Sequence, residues 1–217
     1  IRRIGHVAHV KFNDETWLIL ARHTWLLEDC VAEALKQGRM FTCESVQSSI
    51  RSEAMLAAQA WVRLRQGETV SKDEVLAAYS LIPTGNGLDR GAKTMLENAE
   101  IEGGLDLDDL QINFGLSDVK GWKDQLTRLT KDEVQYLTLV EQNEHLDHKP
   151  RIRISTIHGA KGLEADNVVL LTDLSRASAN AWSRGKEEEI RVLYVALTRA
   201  RKRLFVVNPR TYIGYGI

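Results

Sequence analysis

The hydrophobic pattern of the chain changes period twice. Residues 16–20, TWLIL, form a nearly unbroken apolar run, as expected of a short strand buried in a sheet. In WLLEDCVAEALKQG, residues 25–38, Leu27, Val31, Ala34 and Leu35 recur at helical spacing, and Gly38 is placed to stop the helix. MFTC, residues 40–43, reads as a second short strand. SIRSEAMLAAQAWVRLRQG, residues 49–67, predicts a long helix rich in Ala and Leu, closed by Gly67. Residues 68–150 lack a strand pattern. SKDEVLAAYSLI opens with a capping box, Ser71 and Glu74, and TKDEVQYLTLVEQ repeats it with Thr130 and Glu133. The breaks PTGNG and EGG and the acidic DLDDL lie between them. After Pro150 the strand period returns. RIRIST alternates like an edge strand, and NVVLLT is continuous, fitting a parallel strand buried on both faces. EEEIRVLYVALTRAR predicts a helix with Ile190, Leu193, Tyr194 and Leu197 inward, and RLFVVN is a further buried strand.

This order predicts an α/β fold, a parallel sheet flanked by helices, built from residues 1–66 and 151–217 and interrupted by a small all-helical insertion at 67–150. The 217 residues, 43% hydrophobic and 27% charged, suffice for one globular core with an insertion. No apolar run approaches the ~20 residues that span a bilayer, and no signal peptide is visible, so the expected compartment is cytoplasmic. The first residue is Ile1, which suggests a piece of a longer protein. Cys30 and Cys43 read as free thiols, and the six histidines are scattered, His145 and His148 making only a loose pair, so no metal site is expected.

Net charge is −1, but it is unevenly spread. Residues 1–66 hold nine Lys/Arg and seven Asp/Glu (+2), residues 67–149 eight and seventeen (−9), and residues 151–217 twelve and six (+6). A polyanion would meet the two ends of the chain and be repelled by the middle.

GLDRGAKT, residues 87–94, imitates a phosphate loop but carries Ala92 where the glycine before the lysine is required, and no buried strand precedes it. With no other such loop in the sequence, the chain is expected to lack a complete nucleotide site.

ISTIHGAKGLEADNVVLL, residues 154–171, resembles the Thr-x-His-x-x-Lys-Gly-Leu-Glu motif of superfamily 1 DNA helicases of the UvrD/Rep/PcrA type. EEEIRVLYVALTRAR resembles the last motif of the same family, Tyr-Val-x-x-Thr-Arg-Ala. WLILARHTWLLEDCVAEAL, residues 17–35, is similar to its strand–Arg–helix block, with Arg22 in the arginine position. The resemblance covers residues 16–66 and 151–208 and implies a second RecA-like domain that shares ATP and Mg²⁺ with an N-terminal RecA-like domain carrying the phosphate loop. It implies catalytic roles for Arg199, as arginine finger, and Arg22, as a second γ-phosphate contact. It places Glu164 on the ribose, with Gly162 shaping that loop, and Thr156, His158 and Lys161 along single-stranded DNA at a duplex junction. A planar, permanently charged guanidinium suits the charge that builds on a transferring phosphoryl group. Arg201, Lys202 and Arg203 read as a solvated turn or DNA-facing patch, Tyr194 as core, and Trp61, Trp122 and Trp182 as packing residues. SSIRSEA keeps only Arg51 and Glu53 of the family's block there, and DLSRASANAWSRG lacks its proline turn. Taken alone, the chain is expected to be inactive. Two alternatives remain open: a catalytically inactive helicase-like module that binds DNA or protein, and the helicase part of a recombination nuclease.

Overall fold

A computed structural model describes residues 1–43, 48–49, 52–210 and 213–217; Arg51 lies outside them. The chain divides into two compact units, one of Ile1–Ser49 with Lys149–Ile217 and one of Ile50–His148.

Among the described residues, the first unit is built on six parallel strands: β1 (Arg2–Ile4), β2 (Trp17–Ala21), β3 (Phe41–Cys43), β4 (Ile152–Thr156), β5 (Ala165–Leu171) and β6 (Ala200–Val207). They lie in the order β1-β6-β5-β2-β4-β3, all parallel. β2 and β5 are central, and every β2 residue is buried, which is why their sequences run apolar without alternation. The sheet is covered on both faces. Trp17, Ile19, Ile154 and Val169 pack on one side with Cys30 and Ala34 of α1 (Glu28–Lys36). Leu18, Leu20, Val168 and Leu170 pack on the other with Leu193 and Ala196.

Several expectations change. RIRIST is β4, an interior strand between β2 and β3 rather than an edge. DLSRASANAWSRG, residues 173–185, reads as a loop but contains a helix, α8 (Arg176–Ser183), capped by Ser175. The last helix, α9 (Glu187–Leu197), buries Glu189, Leu193 and Ala196, and so turns a different face inward from the one predicted. Ile190 is 47% and Tyr194 67% exposed, because the i, i+4, i+7 stripe begins at Glu189, whose buried carboxylate has partners described below. Arg201, Lys202 and Arg203 lie within β6, not in a turn.

The second unit is helical: α2 (Glu53–Arg65), α3 (Lys72–Leu81), α4 (Ala92–Asn98), α5 (Leu107–Asn113), α6 (Trp122–Gln125) and α7 (Lys131–Asn143). α2 belongs with this unit, so the division falls near residue 50 and not at 67. Its Ala57, Ala60, Trp61 and Leu64 are fully buried, and α2 packs against α3. Both predicted capping boxes form, at Ser71/Glu74 and Thr130/Glu133, and DLDDL supplies a third, Asp106/Asp109. The phosphate-loop imitation leads into α4, with Gly91 as N-cap at φ +87°. Trp61 and Trp122 are core, their indole N–H groups donating to the Lys120 carbonyl and Glu141.

Candidate functional site

The sequence candidates fall at two opposite edges of the parallel sheet. At the carboxyl edge, β2 and β4 end side by side, with Ala21 opposite Thr156, and the Ile157 N–H donates to the Ala21 carbonyl at 2.9 Å. Arg22 and Thr156 therefore share this edge. At the amino edge, β5 and β6 begin side by side, with Ala165 opposite Ala200, and the Ala165 N–H donates to the Arg199 carbonyl at 3.2 Å. Glu164 and Arg199 therefore share that edge. Residues 157–164 run from one edge to the other and carry His158, Lys161 and Gly162.

Arg199 follows the Thr198 C-cap of α9. Its guanidinium donates from Nε to the Val195 carbonyl at 2.9 Å, from Nη1 to the Leu163 carbonyl at 3.4 Å and from Nη2 to the Thr198 hydroxyl at 3.4 Å. A helix C-terminus offers unsatisfied carbonyls with partial negative charge, which hold a cation without neutralising it. No carboxylate pairs with Arg199 among the described residues. Its charge is thus available to an anion that docks on this edge. The neighbouring cations differ. Arg201 Nε contacts Glu164 at 3.2 Å, Lys202 lies 3.2 Å from Glu15 and 3.3 Å from Asp166, and Arg203 pairs with Glu15 and donates to Asn167. Hydrogen bonds from Thr16, reinforced by Lys202, hold the Asp166 carboxyl below its ordinary range. These charges are largely spent on one another. Glu164 is exposed, and its surface contact with Arg201 is of a kind worth about 0–1 kcal/mol, easily exchanged for a ligand hydroxyl. Gly162 adopts φ +80°, a conformation natural to glycine, with open space where a side chain would stand.

The carboxyl edge is more constrained. Arg22 donates to Glu189 from Nε at 3.2 and 3.3 Å and from Nη2 at 2.9 Å. The Tyr215 hydroxyl donates to the same carboxylate at 2.9 Å. The side chains are 22% and 8% exposed for Arg22 and Glu189. Burial pushes the Glu189 carboxyl up, but the hydrogen bonds from Arg22 and Tyr215 outweigh it and hold the group below its usual range. The hydrogen bond to Glu189 raises Arg22 in turn, and burial with Glu189 raises Tyr215. His23 accepts from the Ser175 N–H at Nε2, 3.1 Å; burial and the Arg22 charge lower its pKa, keeping the ring neutral with its proton on Nδ1. The Thr156 hydroxyl is taken by the Gly159 N–H at 3.1 Å, and His158 and Lys161 are exposed. A Cβ on Gly159 would lie 2.6 Å from the Ser155 hydroxyl, so this turn is closed against larger residues.

The structure does not bring Arg22 and Arg199 together. Arg22 is held at Glu189 in the first turn of α9, and Arg199 lies ten residues further on, about 15 Å along a helix axis. Sequence reasoning missed Glu189, Tyr215 and His23. Glu189 sits in a triple Glu run that reads as a solvated first turn, and only its i+4 and i+7 relation to Leu193 and Ala196 marks it as inward-facing. Among the described residues, no group of three or more His, Cys, Asp or Glu side chains could hold a metal ion, and no helix is long and apolar enough to cross a membrane.

Residues 116–210 match the family model of the UvrD-like helicase C-terminal domain. The probable DNA helicase II homolog of Rickettsia conorii is 35% identical over 88 residues, covering 37% of this chain and 14% of that protein. The ATP-dependent DNA helicase Rep of Buchnera aphidicola is 32% identical over 127 residues, covering 57% of this chain and 17% of its own length. The ATP-dependent DNA helicase PcrA of Staphylococcus epidermidis is 34% identical over 86 residues, covering 37% and 12%. The chain thus spans less than a fifth of the length of these relatives.

Proposed function

We propose that the chain carries a UvrD-like helicase C-terminal domain of the UvrD/Rep/PcrA type and is the second RecA-like half of an ATP-dependent DNA helicase or translocase. In this reading the amino edge faces a nucleotide whose phosphates and Mg²⁺ are held mainly by an N-terminal RecA-like domain of the same protein. Arg199 meets the γ-phosphate as the arginine finger, and Glu164 leaves Arg201 to accept from the ribose. The observation that carries the reading is the state of Arg199: a guanidinium fixed by backbone carbonyls, with no acid beside it among the described residues. The three cations that follow it, Arg201, Lys202 and Arg203, are each paired with a carboxylate. A fixed, unneutralised guanidinium is what stabilises charge developing on a transferring phosphoryl group, because it needs little reorganisation when that charge appears. Thr156, His158 and Lys161 lie on the path toward the other edge, where single-stranded DNA would run. The +6 charge of residues 151–217 favours that strand, and the −9 of residues 67–149 disfavours it.

Calorimetry of this chain alone with a non-hydrolysable ATP analogue and Mg²⁺ tests the division of labour. The contacts Arg199 and Glu164 can offer, about 0–1 kcal/mol each when open to solvent, fall far short of the ~8 kcal/mol that micromolar affinity needs, so no binding is expected at micromolar concentrations. Micromolar binding would show a complete nucleotide site within the chain and overturn the half-site reading.

A further inference from the structure

The segment EHLDHKP, residues 144–150, follows α7, and the helical unit ends within it at His148. Its one aliphatic residue, Leu146, is 3% exposed and pins the segment to the core. Gln59 of α2 donates from Nε2 to the Leu146 carbonyl at 2.7 Å and fixes the backbone at the same point. The His148 N–H donates to the His145 carbonyl at 3.1 Å, closing a four-residue turn. A turn of this kind brings its first and last residues together. The two imidazole rings stand with their centroids 4.7 Å apart, tilted by 59°, and both side chains are exposed. The spacing in the sequence shows only a loose pair; the pinned turn makes it a close one. The pair belongs wholly to the helical unit and has no part in the nucleotide or strand contacts described above.

We propose that His145 and His148 form a two-imidazole site for a borderline divalent transition-metal ion, Ni²⁺, Cu²⁺ or Zn²⁺, which clips the turn that closes the helical unit. The ring separation suits one shared ion. An imidazole nitrogen binds Zn²⁺ at about 2.0–2.1 Å, which puts the ring centre about 3.2 Å from the metal. Two rings on one ion then lie about 4.5 Å apart at a right angle and about 5.2 Å apart at the tetrahedral angle. The observed 4.7 Å falls between these values. Exposure gives each ring room to turn a nitrogen toward the shared point. His6 and His23, by contrast, each have a ring nitrogen taken by a backbone N–H, from Ala8 and Ser175. Among the described residues no third His, Cys, Asp or Glu side chain completes the set, so water fills the remaining positions. Imidazole favours these borderline ions, whereas Mg²⁺ takes oxygen ligands and keeps its waters, so the ion that accompanies ATP does not compete here.

The test is calorimetric titration of the whole chain, carrying no histidine tag, with Ni²⁺. Saturable binding is expected, and a large excess of Mg²⁺ should not displace the ion. A second imidazole held beside the first acts at a high effective concentration, so His145→Ala and His148→Ala should each weaken Ni²⁺ binding about tenfold or more, to a common level. Both positions are exposed, so neither substitution should move the thermal midpoint in the absence of metal. Ni²⁺ should raise the midpoint of the wild type and leave that of either variant nearly in place, because the ion binds the folded turn. Two neutral rings packed on each other would give the same separation without any ion. Lack of saturable Ni²⁺ binding, displacement by Mg²⁺, or wild-type affinity in either single variant would leave only that ring contact and overturn the proposal.

Discussion

Replacing Glu189 with alanine removes the acceptor of three hydrogen bonds from Arg22 and one from Tyr215 at a position only 6% exposed. The Arg22 guanidinium is left without a counter-charge, and the phenol without an acceptor. Breaking a buried pair from one side costs about 3–5 kcal/mol. Arg22 retains 22% exposure, so water relieves part of the penalty and the expected loss is about 3 kcal/mol. For a domain of this size that corresponds to a Tm lower by about 10 °C, read by circular dichroism. The loss should depend on pH. Glu189 titrates below its ordinary value in the folded chain, so its contribution is complete above the unfolded value of about 4.3 and disappears as pH falls through the depressed folded value. The gap between wild type and Glu189→Ala should therefore be constant near neutrality and close on acidification. A loss below about 1 kcal/mol at neutral pH, or a gap unchanged to about pH 3, would refute the description of this pair.

Two further outcomes follow from the packing. Gly87→Ala in the helical unit should cost at least about 2 kcal/mol, because φ is +80° and the new Cβ would sit 2.7 Å from the Asp118 carbonyl oxygen; an unchanged unfolding midpoint would contradict that close approach. Cys30, fully buried and with its thiol pushed up to about 12 by burial, should resist thiol reagents at neutral pH until the chain is denatured, and prompt labelling of native protein would contradict its placement.

Where the sequence was legible, burial was uniform. β2 and β5 are covered on both faces, so continuous apolar runs announced them, and the capping boxes at Ser71 and Thr130 announced two helix starts. β1 was hidden because it is three residues long and begins with two exposed arginines. α8 was hidden because Arg, Ser and Asn dilute its apolar side; among its residues only Ser178 is buried. The face of α9 was misread because a buried glutamate led its inward stripe, and local pattern cannot show a partner more than 160 residues away. The unit boundary was placed too late because the Ala-rich α2 suits either kind of core; it is packing against α3 that assigns it to the helical unit. At the candidate site, the motifs named Arg199, Glu164, Thr156 and Arg22. Only the strand register revealed that they occupy two edges, and only the side-chain contacts separated the unneutralised Arg199 from the paired cations after it.

Under the proposed function, Arg199 acts on a phosphoryl group across a domain cleft. Its most direct test is DNA-stimulated ATP turnover by the full-length protein carrying Arg199→Ala. The expected result is a fall on the order of 10³-fold or more with only a modest loss of ATP binding, and little recovery in Arg199→Lys, which lacks the planar fork. Turnover near the wild-type rate in Arg199→Ala would make Arg199 a helix-capping surface cation and contradict the account.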